Sequence, residues 1–132
     1  MEALITGSEN VELSLPVNAA YVGAAKQTAF AVAGRLGFDA QEAYDIKTAV
    51  SEACGFLLKI LKDVEIHAYT ILFEVFEDRM NINISCPSAP LPQNDPDADY
   101  SLMRIQSLVD EAYIQNNGET IEIFMSKHNN EL

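Results

Sequence analysis

The residues with the chemistry to act are few, and their spacing narrows what they can do. Asp95-x-Asp97-x-Asp99 begins like a calcium loop, but Tyr100 stands where such a loop needs glycine and Gln106 where it needs glutamate. Ser51 and Glu52 have no histidine near them in sequence, so they do not make a nucleophile and base pair. His67 and His128 stand alone, and Cys54 and Cys86 form neither a metal spacing nor a disulfide framework. Glu52 is the residue that needs explaining. With Val50 as the core direction and ~100° per residue, Ile46, Ala53, Cys54, Leu57 and Leu61 share one side of a helix. Glu52, Phe56 and Lys59 point roughly the opposite way. Periodicity alone is satisfied by a solvated Glu52 beside a Phe56 that packs under a neighbouring loop.

The elements that must position these residues follow from period and punctuation. Val11 to Leu15 alternates like a strand and meets Pro16. Asn18 can cap a helix over 18–36, which Gly37 stops. Asp39 with Glu42 three residues on predicts a capping-box start for a second helix over 39–61. Residues 65–77 and 80–86 are rich in Ile, Val, Phe and Tyr and predict a hairpin with its turn near Asp78-Arg79. Residues 87–99 are irregular and proline-rich. A third helix is expected over 99–111, with Leu102, Ile105, Leu108 and Val109 on one side. Strands over 112–115 and 120–125 flank Asn116-Asn117-Gly118-Glu119, the strongest hairpin signal in the chain. The order β-α-α-β-β-α-β-β predicts an α+β fold: two layers, a mixed and mainly antiparallel sheet with its helices on one face.

Composition sets outer limits. A chain of 132 residues with 48% hydrophobic content can bury one real core. The expected organisation is an N-terminal arm over 1–10, one domain over 11–128 and a tail over 129–132. Lys and Arg number 8 against 20 Asp and Glu, a formal net charge of −12. That balance disfavours nucleic acid and anionic membranes, and it favours a basic protein surface as partner. Residues 1–10 lack the features of a signal peptide, and no apolar run approaches the ~20 residues of a membrane span, so the expected location is cytoplasmic.

Asp45-Ile-Lys-Thr-Ala-Val-Ser-Glu52-Ala-Cys resembles the signature helix of the bacterial anti-sigma-factor serine kinases, in the GHKL (Bergerat-fold, histidine-kinase-like) ATPase superfamily. The element order matches that family over about residues 11–127. Pro16-Val-Asn-Ala-Ala-Tyr21-Val-Gly23 is similar to its first-helix entry. Leu108-Val-Asp110-Glu111-Ala, Asn117-Gly118-Glu-Thr120 and Ser126-Lys127 resemble its C-terminal segments.

The resemblance implies a two-layer ATPase-type domain, with Glu52 at the general-base position. It also implies three nucleotide-binding features, and this chain departs from each. Phe56 stands where the family has the magnesium-binding Asn, and a phenyl ring offers no oxygen to a hard cation. The adenine-reading Asp-x-Gly segment corresponds to Ser85-Cys86-Pro87-Ser88-Ala89. The phosphate-cradling glycines of the lid fall on Asp99 and Ser101. No glycine occurs from Phe56 to Asn117, and only glycine readily takes positive φ and lets a backbone close on a phosphate. Asp95, Asp97 and Asp99 would repel a triphosphate.

The sequence therefore reads as a degenerate member of that family, with Glu52 idle and no ATP, magnesium or other cofactor expected. It would work by protein–protein contact in partner-switching regulation of transcription. The resemblance implies sigma factors and small anti-anti-sigma (STAS) domains as partners, and homodimers, which are frequent in the family. Lys26 lies at a partner-contacting position of the first helix that is usually basic there. Two rival readings stay open. One is an active serine protein kinase that uses Glu52 as base and ATP with magnesium held by other groups. The other is a small-ligand sensor whose remodelled pocket is lined by Phe56.

Overall fold

The computed structural model describes residues 9–87 and 96–129. Ser88, Pro90, Pro92 and Asp95, read above as part of the proline-rich connector, lie outside the described residues. Strand β1 (Glu9–Pro16) leads through a short 3-10 turn (Ala19–Tyr21) into helix α1 (Val22–Leu36). Helix α2 (Ala40–Ile60) follows, then the hairpin of β2 (Ala68–Val75) and β3 (Arg79–Pro87). Helix α3 (Pro96–Gln106) and a second hairpin, β4 (Glu111–Asn116) and β5 (Thr120–His128), complete the chain.

The helix ends are set locally. The Asn18 side chain accepts from the Ala20 amide at the entry to the 3-10 turn. Gly37 closes α1 at φ 90°, a conformation that a Cβ would strain, and its backbone N–H returns to the carbonyls of Ala33 and Gly34. At the start of α2, Asp39 Oδ1 accepts from the Glu42 amide at 2.8 Å and Glu42 Oε1 accepts from the Asp39 amide at 3.2 Å.

The strands form one five-stranded sheet in the order β1-β2-β3-β5-β4. Every ladder is antiparallel, the limiting case of the mainly antiparallel sheet that the tight turns predict. Alternation puts one face in the core: Tyr69, Ile71, Phe73 and Val75 of β2, Met80, Ile82, Ile84 and Cys86 of β3, and Ile121, Ile123 and Met125 of β5 are all buried. Those residues pack with Ala25, Ala29, Val32 and Ala33 of α1 and with Ile46, Ala49, Val50, Ala53, Cys54 and Leu57 of α2. Both long helices thus lie on the same face of the sheet, giving two layers. Among the described residues, no helix is long and apolar enough to cross a membrane.

Several element boundaries differ from the sequence reading: β1 begins at Glu9, inside the expected arm, and α1 begins at Val22, after the 3-10 turn. Helix α3 spans Pro96–Gln106 rather than 99–111. Proline is tolerated in the first turn, where its missing N–H has no intrahelical acceptor to serve. At the other end the Asp110 amide donates to the Ser126 carbonyl at 3.0 Å, so the sheet claims the chain before the helix can continue. Strand β5 runs on to His128, because it stays in register with β3 as far as Arg79. The stretch 65–67 is not in β2; the Val64 amide bonds back to Leu61 and the Ile66 amide to Val64, which makes a turn there.

Candidate functional site

The candidate site lies where α3 packs against the side of α2 that faces away from the sheet. Its central group is Glu52, whose side chain keeps only 20% of its accessible surface. Glu52 Oε2 accepts a hydrogen bond from the Ser101 hydroxyl at 2.9 Å, and Glu52 Oε1 lies 3.2 Å from Arg104 Nε. Ser101 is buried, and Arg104 sits three residues on, over the same helix face. The Arg104 guanidinium also lies 5.6 Å from the Tyr100 ring centroid. Further along, Lys59 Nζ meets Asp97 Oδ2 at 3.1 Å, an exposed pair that adds a second tie between the two helices.

The expectation that Glu52 stands solvated on a helix surface is corrected by these contacts. Phe56 packs under a neighbouring element as the periodicity allowed, but that element is helix α3 and not a loop. It points off the apolar stripe of α2 but is only 3% exposed, because α3 covers that side. The cleft that remains has a volume of about 380 Å³ and is lined by Thr48, Ser51, Glu52, Gly55, Phe56, Lys59, Ser101 and Arg104.

The site brings together only part of the set that the sequence singled out. Glu52, Phe56 and Ser101 line the cleft. Asp99 is exposed on α3 and is not among the lining residues. Ser85 and Cys86 belong to β3, where Ser85 faces Thr70 and Glu122 in register. Cys86 points into the core with its thiol pKa raised by burial. Ser88 lies outside the described residues. Lys26 is half-buried on α1, away from the cleft.

Arg104 was not singled out by the sequence reading. Its signal was there: Ser101 and Arg104 are three residues apart, so one face of a helix presents a hydroxyl and a guanidinium together, in a chain poor in basic residues.

Magnesium and nucleotide can be tested against these residues. The magnesium position offers a buried phenyl ring. Both Glu52 oxygens are already engaged by α3. Among the described residues no group of three His, Cys, Asp or Glu side chains converges to hold a metal. The backbone amides of α3 past its first turn are committed to helical hydrogen bonds, which leaves them none to offer a phosphate. The residues present do not fit Mg-ATP.

No protein-family model matches the chain. Serine-protein kinase RsbW from Bacillus mycoides (strain KBAB4) is 34% identical over 77 residues, 58% of this chain and 48% of that protein. Serine-protein kinase RsbW from Bacillus cereus (strain B4264) is 28% identical over 141 residues, 91% of this chain and 85% of that protein. The first of these alignments therefore spans about half the length of its relative. A crystal structure of the RsbU and RsbW domains of Rv1364c from Mycobacterium tuberculosis superposes with a TM-score of 0.71 at 12% identity, covering 90% of this chain and 32% of that one. At that identity the likeness speaks for the fold.

Proposed function

Starting from the similarity of the chain to the serine-protein kinases RsbW, we propose an anti-sigma protein of the GHKL type that regulates by binding partners and does not turn over ATP. Its partners would be a sigma factor, a STAS-domain antagonist, or both, exchanged as in partner switching. The carrying observation is the state of Glu52. A general base needs a free oxygen within reach of the hydroxyl it deprotonates. Here one oxygen accepts from Ser101 and the other pairs with Arg104, while Phe56 fills the space beside them. The acidic balance of the chain supports a basic protein surface as the other side of the contact. Lys26 on α1 is the proposed family-like contact, and self-association as a dimer is compatible with this reading.

The rival, an active serine kinase, draws on one observation, the retention of Glu52 itself. It would require α3 to swing away and release the carboxylate. Thermal unfolding with and without Mg-ATP separates the two. A ligand present at a hundred times its dissociation constant adds about 2.7 kcal/mol, several degrees in Tm for a domain of this size. The expected result at millimolar Mg-ATP is no resolvable shift. A magnesium-dependent rise of several degrees would establish nucleotide binding and overturn the proposal. A nucleotide-independent rise with a small apolar ligand would point to the sensor reading instead.

A further inference from the structure

The face of the sheet turned away from the helices carries an ordered row of side chains. Glu12, Leu72, Asn83, Phe124 and Tyr113 are successive register partners across all five strands. The rings of Tyr113 and Phe124 stack with centroids 5.0 Å apart and planes at 21°. Tyr113 remains 43% exposed. A leucine, a phenylalanine and a tyrosine thus make an apolar stripe on a face that, among the described residues, no helix covers.

The rows on either side carry three glutamates among polar residues. Thr70, Ser85, Glu122 and Gln115 follow one another on one side, and Glu74, Asn81, Ser126 and Glu111 on the other. Glu12, Glu74, Glu111 and Glu122 take part in no ion pair among the described residues, and no lysine or arginine occupies these rows. Carboxylates without counter-charges around an apolar stripe define what would complement them.

We propose that this face docks a basic amphipathic helix of a partner protein, its apolar side on Leu72, Phe124 and Tyr113 and its Lys or Arg flanks against the glutamates. Five strands about 4.8 Å apart give the whole row, from Glu12 to Tyr113, a length of about 19 Å, which about thirteen residues of helix cover. A helix laid on a sheet face is also the ordinary way for such a face to gain a further layer. A second copy of this chain fits less well. Face-to-face pairing would set the unpaired glutamates of one copy against those of the other. Anionic lipid and nucleic acid meet the same repulsion. The inference rests on the reading that the chain acts by protein contact, but it concerns a different surface from the α2–α3 cleft.

The test uses the full chain, labelled with nitrogen-15, titrated with a Leu/Lys amphipathic peptide of about fourteen residues. A Leu/Glu peptide of the same spacing serves as control. Amide shift changes should centre on residues 72, 83, 113 and 124. Loss of the exposed aromatic by Tyr113→Ser should weaken binding about tenfold. The double change Glu12→Gln with Glu122→Gln should weaken it too, and both variants keep the buried core intact. Three results would overturn the proposal: shifts scattered over other acidic surfaces, equal binding of the Leu/Glu peptide, or variants that bind like the parent. So would concentration-dependent dimerisation that occupies the same amides without peptide. ATP binding in the cleft would refute the proposed function and leave these shifts as they are, so the two failures are distinguishable.

Discussion

Arg104 Nε of α3 lies 3.2 Å from Glu52 Oε1 of α2, and this contact joins two helices that are far apart in sequence. Ser101 reaches the other oxygen of the same carboxylate. Glu52 is thus the attachment point for the helix that covers the site. The four predictions below test that arrangement and the scaffold beneath it.

The two partners of Glu52 should differ in worth. Arg104 is 53% exposed, so its ion pair is screened by water and adds about 1 kcal/mol or less. Ser101 is buried and donates to an ionised acceptor, a bond of about 1.5–3 kcal/mol. Ser101→Ala should therefore lower the urea midpoint more than Arg104→Ala does. Moderate salt should erode only the Arg104 contribution. The reverse order would mean that the ion pair holds α3 in place.

Phe56→Asn should cost stability and gain no nucleotide. Truncating a well-buried phenyl ring removes on the order of 3–5 kcal/mol, and the amide left in its place needs partners that the packed helices do not offer. Glu52 stays bound to α3 in that variant, and glycine is still absent from 56–117. Titration calorimetry with Mg-ATP should give no binding heat, and the denaturant midpoint should fall. Micromolar binding by the single mutant would mean that Phe56 alone had plugged an intact site.

The capping box of α2 should be measurable by itself. Asp39→Ala removes the acceptor for the Glu42 amide and breaks the reciprocal bond, at a cost of about 1 kcal/mol. The Asp39 side chain is exposed and away from the cleft, so circular dichroism should report an unchanged fold with a lower Tm.

Stability should fall in alkali. Burial raises the Cys54 thiol pKa from 9.0 to about 11, against a smaller lowering from Tyr69. Burial, with the adjacent Cys54, raises the Tyr69 hydroxyl as well. An acid whose folded pKa lies above its unfolded value binds more protons folded than unfolded between the two, so stability drops as pH rises through that window. For Cys54 the window runs from 9.0 to about 11, and the loss is on the order of 2–3 kcal/mol by its upper end. Denaturant midpoints should be level from pH 6 to about pH 8 and decline above pH 9. Cys54→Ala should flatten that decline even if its midpoint at neutral pH is lower. In the native state Cys54 should also resist alkylation at pH 8.

Much of the scaffold was legible because its signals are local. The stop at Gly37, the Asp39–Glu42 box, the apolar stripe of α2 and the Asn117-Gly118 turn each depend on residues within a turn of one another. The alternation in β2, β3 and β5 was legible for a related reason: one buried face imposes a period of two on every strand, whatever its neighbours are. These signals, with the resemblance around Glu52, sufficed for the two-layer fold and for the departures at Phe56 and the lid glycines.

The fate of Glu52 and Phe56 was decided elsewhere. Helical periodicity says only that both leave the main apolar stripe, and a side chain off the stripe is solvated unless something distant covers it. What covers them is α3, and its reach depends on where it starts and stops. The start is permitted by Pro96 at a helix N-terminus. The stop is imposed when Asp110 pairs with Ser126, a bond across the sheet that no local pattern announces. The Ser101–Glu52 hydrogen bond spans 49 residues of sequence. Sequence alone determined that a phenyl ring stands at position 56, where the family it resembles has a magnesium-binding Asn. Tertiary packing decided what the remaining carboxylate does, because a charge partly withdrawn from water takes whichever partners the fold brings within reach, and here those are Ser101 and Arg104.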